Sequence, residues 1–335
     1  MSNARIVAIG GTSRSVPTLR SLLARRDVDC LYGIFMPGYP AERPHVDALV
    51  ALAEEHGVPY VVADRVSADV VRRVAELSAD AMIGIGVWRS LLSRELLDAT
   101  RMGFLGVHAT PLPRYRGFAG LYWQIINGHD SVTLRAFRLA SGVDDGPIVC
   151  DDQERPVEAV VDIHNELHLD EILTQYDIKH IELVNQIVHL VATDRVGFLP
   201  QDETLATYSC HRGPEDAEID WHRTTKEVFN FIRAQSRPLY GAFTYFQGRK
   251  VTIWRARPRP DFAAYEGRIC GKVVQRGGKS TSAIILTRDS ALEVIEAAWA
   301  PPQDQEASPS EIFSSVRMRC MSAAEACVYL ANRMK

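Results

Sequence analysis

The chain has 335 residues, enough for about two domains that each bury a core. Hydrophobic residues make up 46% and charged residues 24%, so a globular protein is expected rather than a disordered one. The net charge of −4 gives no support to general polyanion binding, although a compact basic patch would not show in the total.

No apolar run approaches the roughly 20 residues of a membrane span. Met-Ser-Asn-Ala-Arg leads directly into an apolar strand, without the h-region of a signal peptide. The six cysteines (Cys30, Cys150, Cys210, Cys270, Cys320, Cys327) form no C-x-x-C pair, which favours neither a zinc site nor a disulfide framework. A reduced cytoplasm is the expected location.

In chain order, Arg5 to Ile9 reads as a buried strand, and Gly10-Gly11-Thr12 as a turn. Val16 to Arg25 has helical spacing, and Cys30 to Met36 is a second strand. A helix over His45 to His56, a strand over Tyr60 to Ala63 and a helix over Ala68 to Leu77 follow. Ala81 to Val87 and Phe104 to His108 are further buried strands, separated by a short helix over Ser93 to Asp98. Apolar strands alternating with helices predict a Rossmann-like, mostly parallel α/β sheet covered on both faces. The glycines after the first strand lack both the G-x-G-x-x-G spacing and a Walker lysine, so no phosphate loop is read there.

Gly120 to Asn127 is a predicted helix, and Val132 to Leu139 alternates as an antiparallel strand that Ile148 to Glu154 would join. Leu167 to Thr193 is a long amphipathic helix. Pro200 to Asp216 is polar and contains Pro, Gly and Ser, which suggests a linker at 201–216 between domains at 1–200 and 217–335. Beyond it come a helix over Thr225 to Ala234 and short strands at Ala242 to Phe246, Lys250 to Arg255, Gly267 to Gln275, Ala283 to Thr287 and Leu292 to Ala297. That pattern predicts a small β-barrel of the oligonucleotide/oligosaccharide-binding (OB) type. A mobile connector at Gln303 to Ser310 and a terminal helix over Ser322 to Met334 complete the chain.

The chemistry concentrates in two loops. His108 ends an apolar strand, where ligands of open α/β sheets gather. Asp144 sits in the downstream turn Gly142-Val143-Asp144-Asp145-Gly146. An imidazole and a carboxylate on neighbouring loops are the usual means of moving a proton at neutral pH.

Residues 104–149, which include G-V-H-A-T-P-L-P-R-Y-R-G, G-L-Y-W-Q-I-I-N-G and G-V-D-D-G-P-I, resemble the core of the 10-formyltetrahydrofolate-dependent formyltransferases. That family includes the methionyl-tRNA, sugar-nucleotide and glycinamide ribonucleotide enzymes. Ile6 to Leu23 is similar to the family's first strand and helix. Cys210 to Ala242 is similar to the start of the C-terminal domain of the tRNA and amino-sugar enzymes.

The resemblance implies transfer of a formyl group from 10-formyltetrahydrofolate to an amine, with His108 and Asp144 as the catalytic pair. It places Gly106 where the family has a catalytic asparagine, Thr110 where it has serine, and Pro111 where it has leucine. Loss of an oxyanion donor costs on the order of 3 kcal/mol unless it is replaced. Three readings of Gly106 follow: a substitute donor with formyl transfer intact, a different acyl or one-carbon donor or amine, or a catalytically inactive folate- or nucleotide-binding protein.

By the same resemblance, the donor pocket involves Ile83, Gly84, Ile85, Gly86 and Val87, then Trp88 and Arg89, with the Val143-Asp144 turn as the other wall. Substrate contacts would come from Thr110, Arg116, Gly117, Tyr122, Arg237 and Tyr240. The stretch Met36 to His45 carries a single arginine, and with the negative net charge this makes tRNA an unfavoured acceptor. A nucleotide-linked amino sugar, as in cell-surface or natural-product pathways, is the leading expectation. An amino acid or a hydroxyornithine-like siderophore amine is the runner-up. A homodimer interface or second ligand site in the second domain stays open.

Overall fold

The computed structural model describes residues 3–87, 92–164, 167–276, 281–300 and 307–333. The chain forms two compact units, the first built from 1–118, 133–161 and 175–209, the second from 119–132, 162–174 and 210–335.

In the first unit, β1 (Ala4–Gly10), β2 (Val28–Phe35), β3 (Tyr60–Val62), β4 (Ala81–Gly84) and β5 (Phe104–His108) pair in parallel in the order β3-β2-β1-β4-β5. Between them run α1 (Ser15–Leu23), α2 (Arg43–Glu55), α3 (Ala68–Glu76) and the short α4 (Arg94–Leu97). Strands covered on both faces need apolar side chains throughout, and β4 is buried at every position. Val7, Ile9 and Met82 pack with Val70, Val74 and Leu96 of the flanking helices.

The remaining strands of the unit change direction. These are β6 (Arg116–Gly117), β7 (Ser131–Arg138), β8 (Ile148–Cys150), β9 (Glu158–Asp162), β10 (Gly197–Leu199) and β11 (Tyr208–Ser209). β7 lies antiparallel to β5, with Gly106 opposite Phe137 and His108 opposite Arg135. β8 and β10 extend the sheet, and β9 pairs β7. The polar stretch read as the start of a linker folds back here: β11 pairs in parallel with β6. α5 (Gly120–Ile126) follows β6 in sequence, and α6 (Leu169–Ala192) matches the long predicted helix within two residues.

The second unit contains α7 (Thr225–Arg233) and the antiparallel strands β12 (Ala242–Phe246), β13 (Arg249–Arg259), β14 (Val273–Arg276), β15 (Ala283–Leu286), β16 (Ala291–Trp299) and β17 (Cys320–Met321). They run in the order β14-β15-β16-β13-β12-β17 as an antiparallel half-barrel. Trp221, Val228, Phe229 and Ile232 pack on Ile253, Val294 and Phe313 to form its core. The strand expected over Gly267 to Gln275 begins only at Val273, because Gly271 takes a positive φ and turns the chain. Of the expected connector, residues 303–306 lie outside the described residues, and Pro309–Ile312 is the short helix α8. The terminal helix α9 spans Ala323–Arg333.

Among the described residues, no helix is long and apolar enough to cross a membrane, and no group of His, Cys, Asp and Glu is arranged to hold a metal ion. All six cysteines are free thiols.

Candidate active site

The strand order of the parallel sheet reverses between β1 and β4, and crevices at the carboxyl ends of such strands are where open α/β sheets take ligands. Ile83 pairs with Leu105, so Gly84–Gly86 and Gly106–His108 leave the carboxyl edge side by side. The sequence-predicted pterin wall therefore stands beside the predicted catalytic histidine. Gly86 is also tightly packed. A Cβ there would lie 2.2 Å from Ser15 Oγ, so its smallness lets the first turn of α1 pack against this edge. Val87 is exposed, while Trp88 and Arg89 lie outside the described residues.

His108 is half-buried against the edge of Phe137, with ring centroids 6.0 Å apart. Its Nε2 lies 3.2 Å from the Tyr115 carbonyl oxygen and 3.5 Å from Asp144 Oδ2. Both neighbours are acceptors, so Nε2 carries the hydrogen and Nδ1 keeps its lone pair in the neutral ring. The two side chains are only 17% and 22% exposed, sheltered yet within reach of solvent.

Asp144 sits at φ +49°, in the left-handed region that L-residues with side chains enter at a cost. The Gly117 N–H donates to its Oδ2 at 2.8 Å. Gln201 Nε2 donates to its backbone carbonyl at 2.7 Å and to that of Gly146 at 2.6 Å. At Gly146 a Cβ would fall 1.8 Å from the Arg138 carbonyl oxygen, so glycine is required where the turn rejoins the sheet. Val143, beside Asp144, projects into solvent at 56% exposure.

Gly106 is a buried strand residue. It shares a face with His108 two positions on and carries no side chain to reach the site. Thr110 is fully buried, and its hydroxyl is without a hydrogen-bond partner.

Arg116 departs from the picture of a substrate-facing cation. Its side chain is buried and held by Glu203, with 2.7 and 2.9 Å contacts, and by Gln201 Oε1 at 2.8 and 3.1 Å. The pair holds the Arg116 guanidinium firmly charged and the Glu203 carboxyl below its ordinary range. The sequence gives no sign of the Gln201 and Glu203 contacts, because a polar stretch without periodicity does not reveal that it returns to the Asp144 turn.

Tyr122, Arg237 and Tyr240 belong to the second unit. Arg237 pairs with Glu296 at 3.0 Å and lies over the Trp254 ring, and the Tyr240 hydroxyl donates to the Gly213 carbonyl at 2.8 Å. Burial raises the Tyr240 phenol above its ordinary range.

Residues 36–168 match the formyl transferase family, and residues 213–316 match the formyl transferase C-terminal domain. The chain belongs to the formyltransferase family. Solved structures resemble this chain at low identity. An N-formyltransferase from Helicobacter canadensis, solved with folinic acid and dTDP-3-aminofucose, superposes with a TM-score of 0.63 at 14% identity, over 87% of this chain and 98% of the other. WlaRD, a sugar 3N-formyl transferase solved in the presence of dTDP and 5-N-formyl-THF, gives 0.61 at 14% identity, over 90% and 99%. HypX from Aquifex aeolicus in complex with tetrahydrofolic acid gives 0.60 at 16% identity, over 94% of this chain and 48% of HypX. This chain thus spans about half the length of HypX.

Proposed function

We propose that this formyltransferase moves a formyl group from 10-formyltetrahydrofolate to the amine of a nucleotide-linked amino sugar. The observation that carries the reading is the approach of His108 to Asp144 at the carboxyl end of β5, 3.5 Å apart and locked by the Gly117 N–H. Similarity to two sugar N-formyltransferases over almost their whole length supports this acceptor class.

The residues present suit a folate donor. Glycine-bearing backbone after β4 and the exposed Val143 flank the half-buried imidazole. The donor supplies an activated formyl carbon attached to nitrogen. The chain's own residues then handle protons. His108 Nδ1 takes the proton that the amine loses as the new N–C bond forms. Nε2 stays hydrogen-bonded to the Tyr115 carbonyl, and Asp144 balances the positive charge that the ring gains. The same proton returns to the departing nitrogen as the old C–N bond breaks. Protein atoms and charge are unchanged after one turnover.

Gly106 favours a second reading, in which the site serves another one-carbon chemistry. It removes the amide that the family places two residues before the histidine, and the likeness to HypX covers nearly all of this chain. Tetrahydrofolate release, followed by absorbance with dTDP-linked amino sugars, amino acids, hydroxyornithine and Met-tRNA, separates the two. Release dependent on an amino sugar is the expected result. Release with another amine redirects the acceptor, and binding of the folate without release with any amine points to the altered or inactive readings.

A further inference from the structure

We propose that Gln201, clamped by Arg116, is a positioning residue that sets the Asp144 turn for catalysis. This deepens the formyl-transfer reading and rests on it. The turn needs help because Asp144 holds a left-handed backbone without being glycine. Gln201 supplies it by donating through one amide nitrogen to the carbonyls of Asp144 and Gly146, which bracket the turn.

That amide has only one workable orientation. Arg116 Nε and Nη2 both donate to Gln201 Oε1, at 3.1 and 2.8 Å. Turned over, the amide would set its NH₂ against a guanidinium that has nothing to accept with, and its oxygen against two carbonyl oxygens. A guanidinium is charged at every working pH, so the orientation does not depend on titration. Glu203 fixes the guanidinium in turn with two contacts, and Tyr208 lies at 3.4 Å from Nη1.

Arg116 and Gly117 form β6, so one short strand holds the turn at both ends. Arg116 acts through Gln201 on the backbone of residue 144. The next residue, Gly117, donates directly to the carboxylate of Asp144. β6 is itself pinned by β11, where the Arg116 N–H donates to the Thr207 carbonyl and the Phe118 N–H to the Ser209 carbonyl. The residues from 201 to 209 thus work as a strap behind the catalytic turn.

The test uses the full chain with Gln201→Glu and Gln201→Met. The first keeps both acceptor contacts to Arg116 but turns an oxygen toward the two carbonyls, while the second keeps the shape and removes every hydrogen bond. Hydrogen exchange at the Gly117 amide reports where the Asp144 carboxylate sits, with Asp144→Ala as the reference for complete loss of protection. Expected are exchange at Gly117 faster by about tenfold or more, unchanged exchange in β1 and β4, and kcat lower by roughly tenfold to a hundredfold with KM for the amine unchanged. Unaltered Gly117 exchange and kcat in both variants would overturn the assignment, as would a fall in stability that accounts for the whole loss of kcat. Because exchange is read without turnover, failure of the positioning role is distinguishable from failure of the formyl-transfer reading.

Discussion

The proposed chemistry rests on His108, Asp144 and Gly106. Asp144→Ala removes the partner of the imidazole and the acceptor of the Gly117 N–H together. It is expected to lower kcat by about 10²–10⁴-fold while leaving the fold intact, checked by steady-state kinetics beside circular dichroism. Gly106→Asn places an amide on the strand face that His108 shares. A rise in kcat of about tenfold to a hundredfold is expected, because a single oxyanion donor is worth that much or more. An unchanged kcat in a variant of parental stability would mean that another group already serves the oxygen. The sequence singles out His108 and Asp144, a histidine at a strand end and an aspartate between glycines, and the fold brings the two side chains to 3.5 Å. The left-handed φ of Asp144 was not legible there, because an aspartate adopts it only when a surrounding network holds it there.

The elements show the same division. The parallel strands were readable because burial on both faces leaves continuous apolar runs, as in Ala81–Gly84. β6 and β11 were not, for two residues show no periodicity, and the polar composition of 201–209 reads as solvent-facing. The environment of Arg116 was hidden for a related reason. An arginine beside a glycine turn suggests an anion site, and only the Glu203 and Gln201 contacts show that its charge is already spoken for. Two substitutions test how these elements are held. Gly146→Ala drives a Cβ into the Arg138 carbonyl and is expected to cost about 1–3 kcal/mol by denaturant titration, with kcat falling as the Asp144 turn shifts. Thr224 caps α7 by accepting from the Glu227 N–H, while Glu227 accepts from the Thr224 N–H. Thr224→Ala should lower stability by about 1 kcal/mol with kcat unchanged, since the substitution removes only the N-terminal cap of α7.

At the scale of the whole molecule, two buried histidines set a limit in acid. Burial, helped by Arg255, pushes His168 down to about 4 from its ordinary 6.5, and its neutral Nε2 accepts the Ala256 N–H. Burial, helped by Arg14, pushes His180 down to about 3. Once unfolded, both rings take up protons as the pH falls through 6.5, whereas the folded protein resists until about 4. The unfolded state therefore binds more protons across that window, and stability should decline as pH drops from 6.5 toward 4. His168→Gln, which keeps an acceptor for Ala256, should flatten part of that decline in thermal melts taken across the range. A decline as steep in the variant as in the parent would remove His168 from the explanation.

The reach of the similarity to the two sugar N-formyltransferases joins these scales, since both units take part in it. The most direct measurement follows an isotopically labelled formyl carbon from 10-formyltetrahydrofolate by mass spectrometry, in the parent protein and in Asp144→Ala, with a dTDP-linked amino sugar as acceptor. The predicted result is label on the sugar nitrogen with the parent and at most trace label with Asp144→Ala. Label on the sugar at equal rates in both proteins, or none with the parent while tetrahydrofolate is still released, would contradict formyl transfer to that amine by His108 and Asp144.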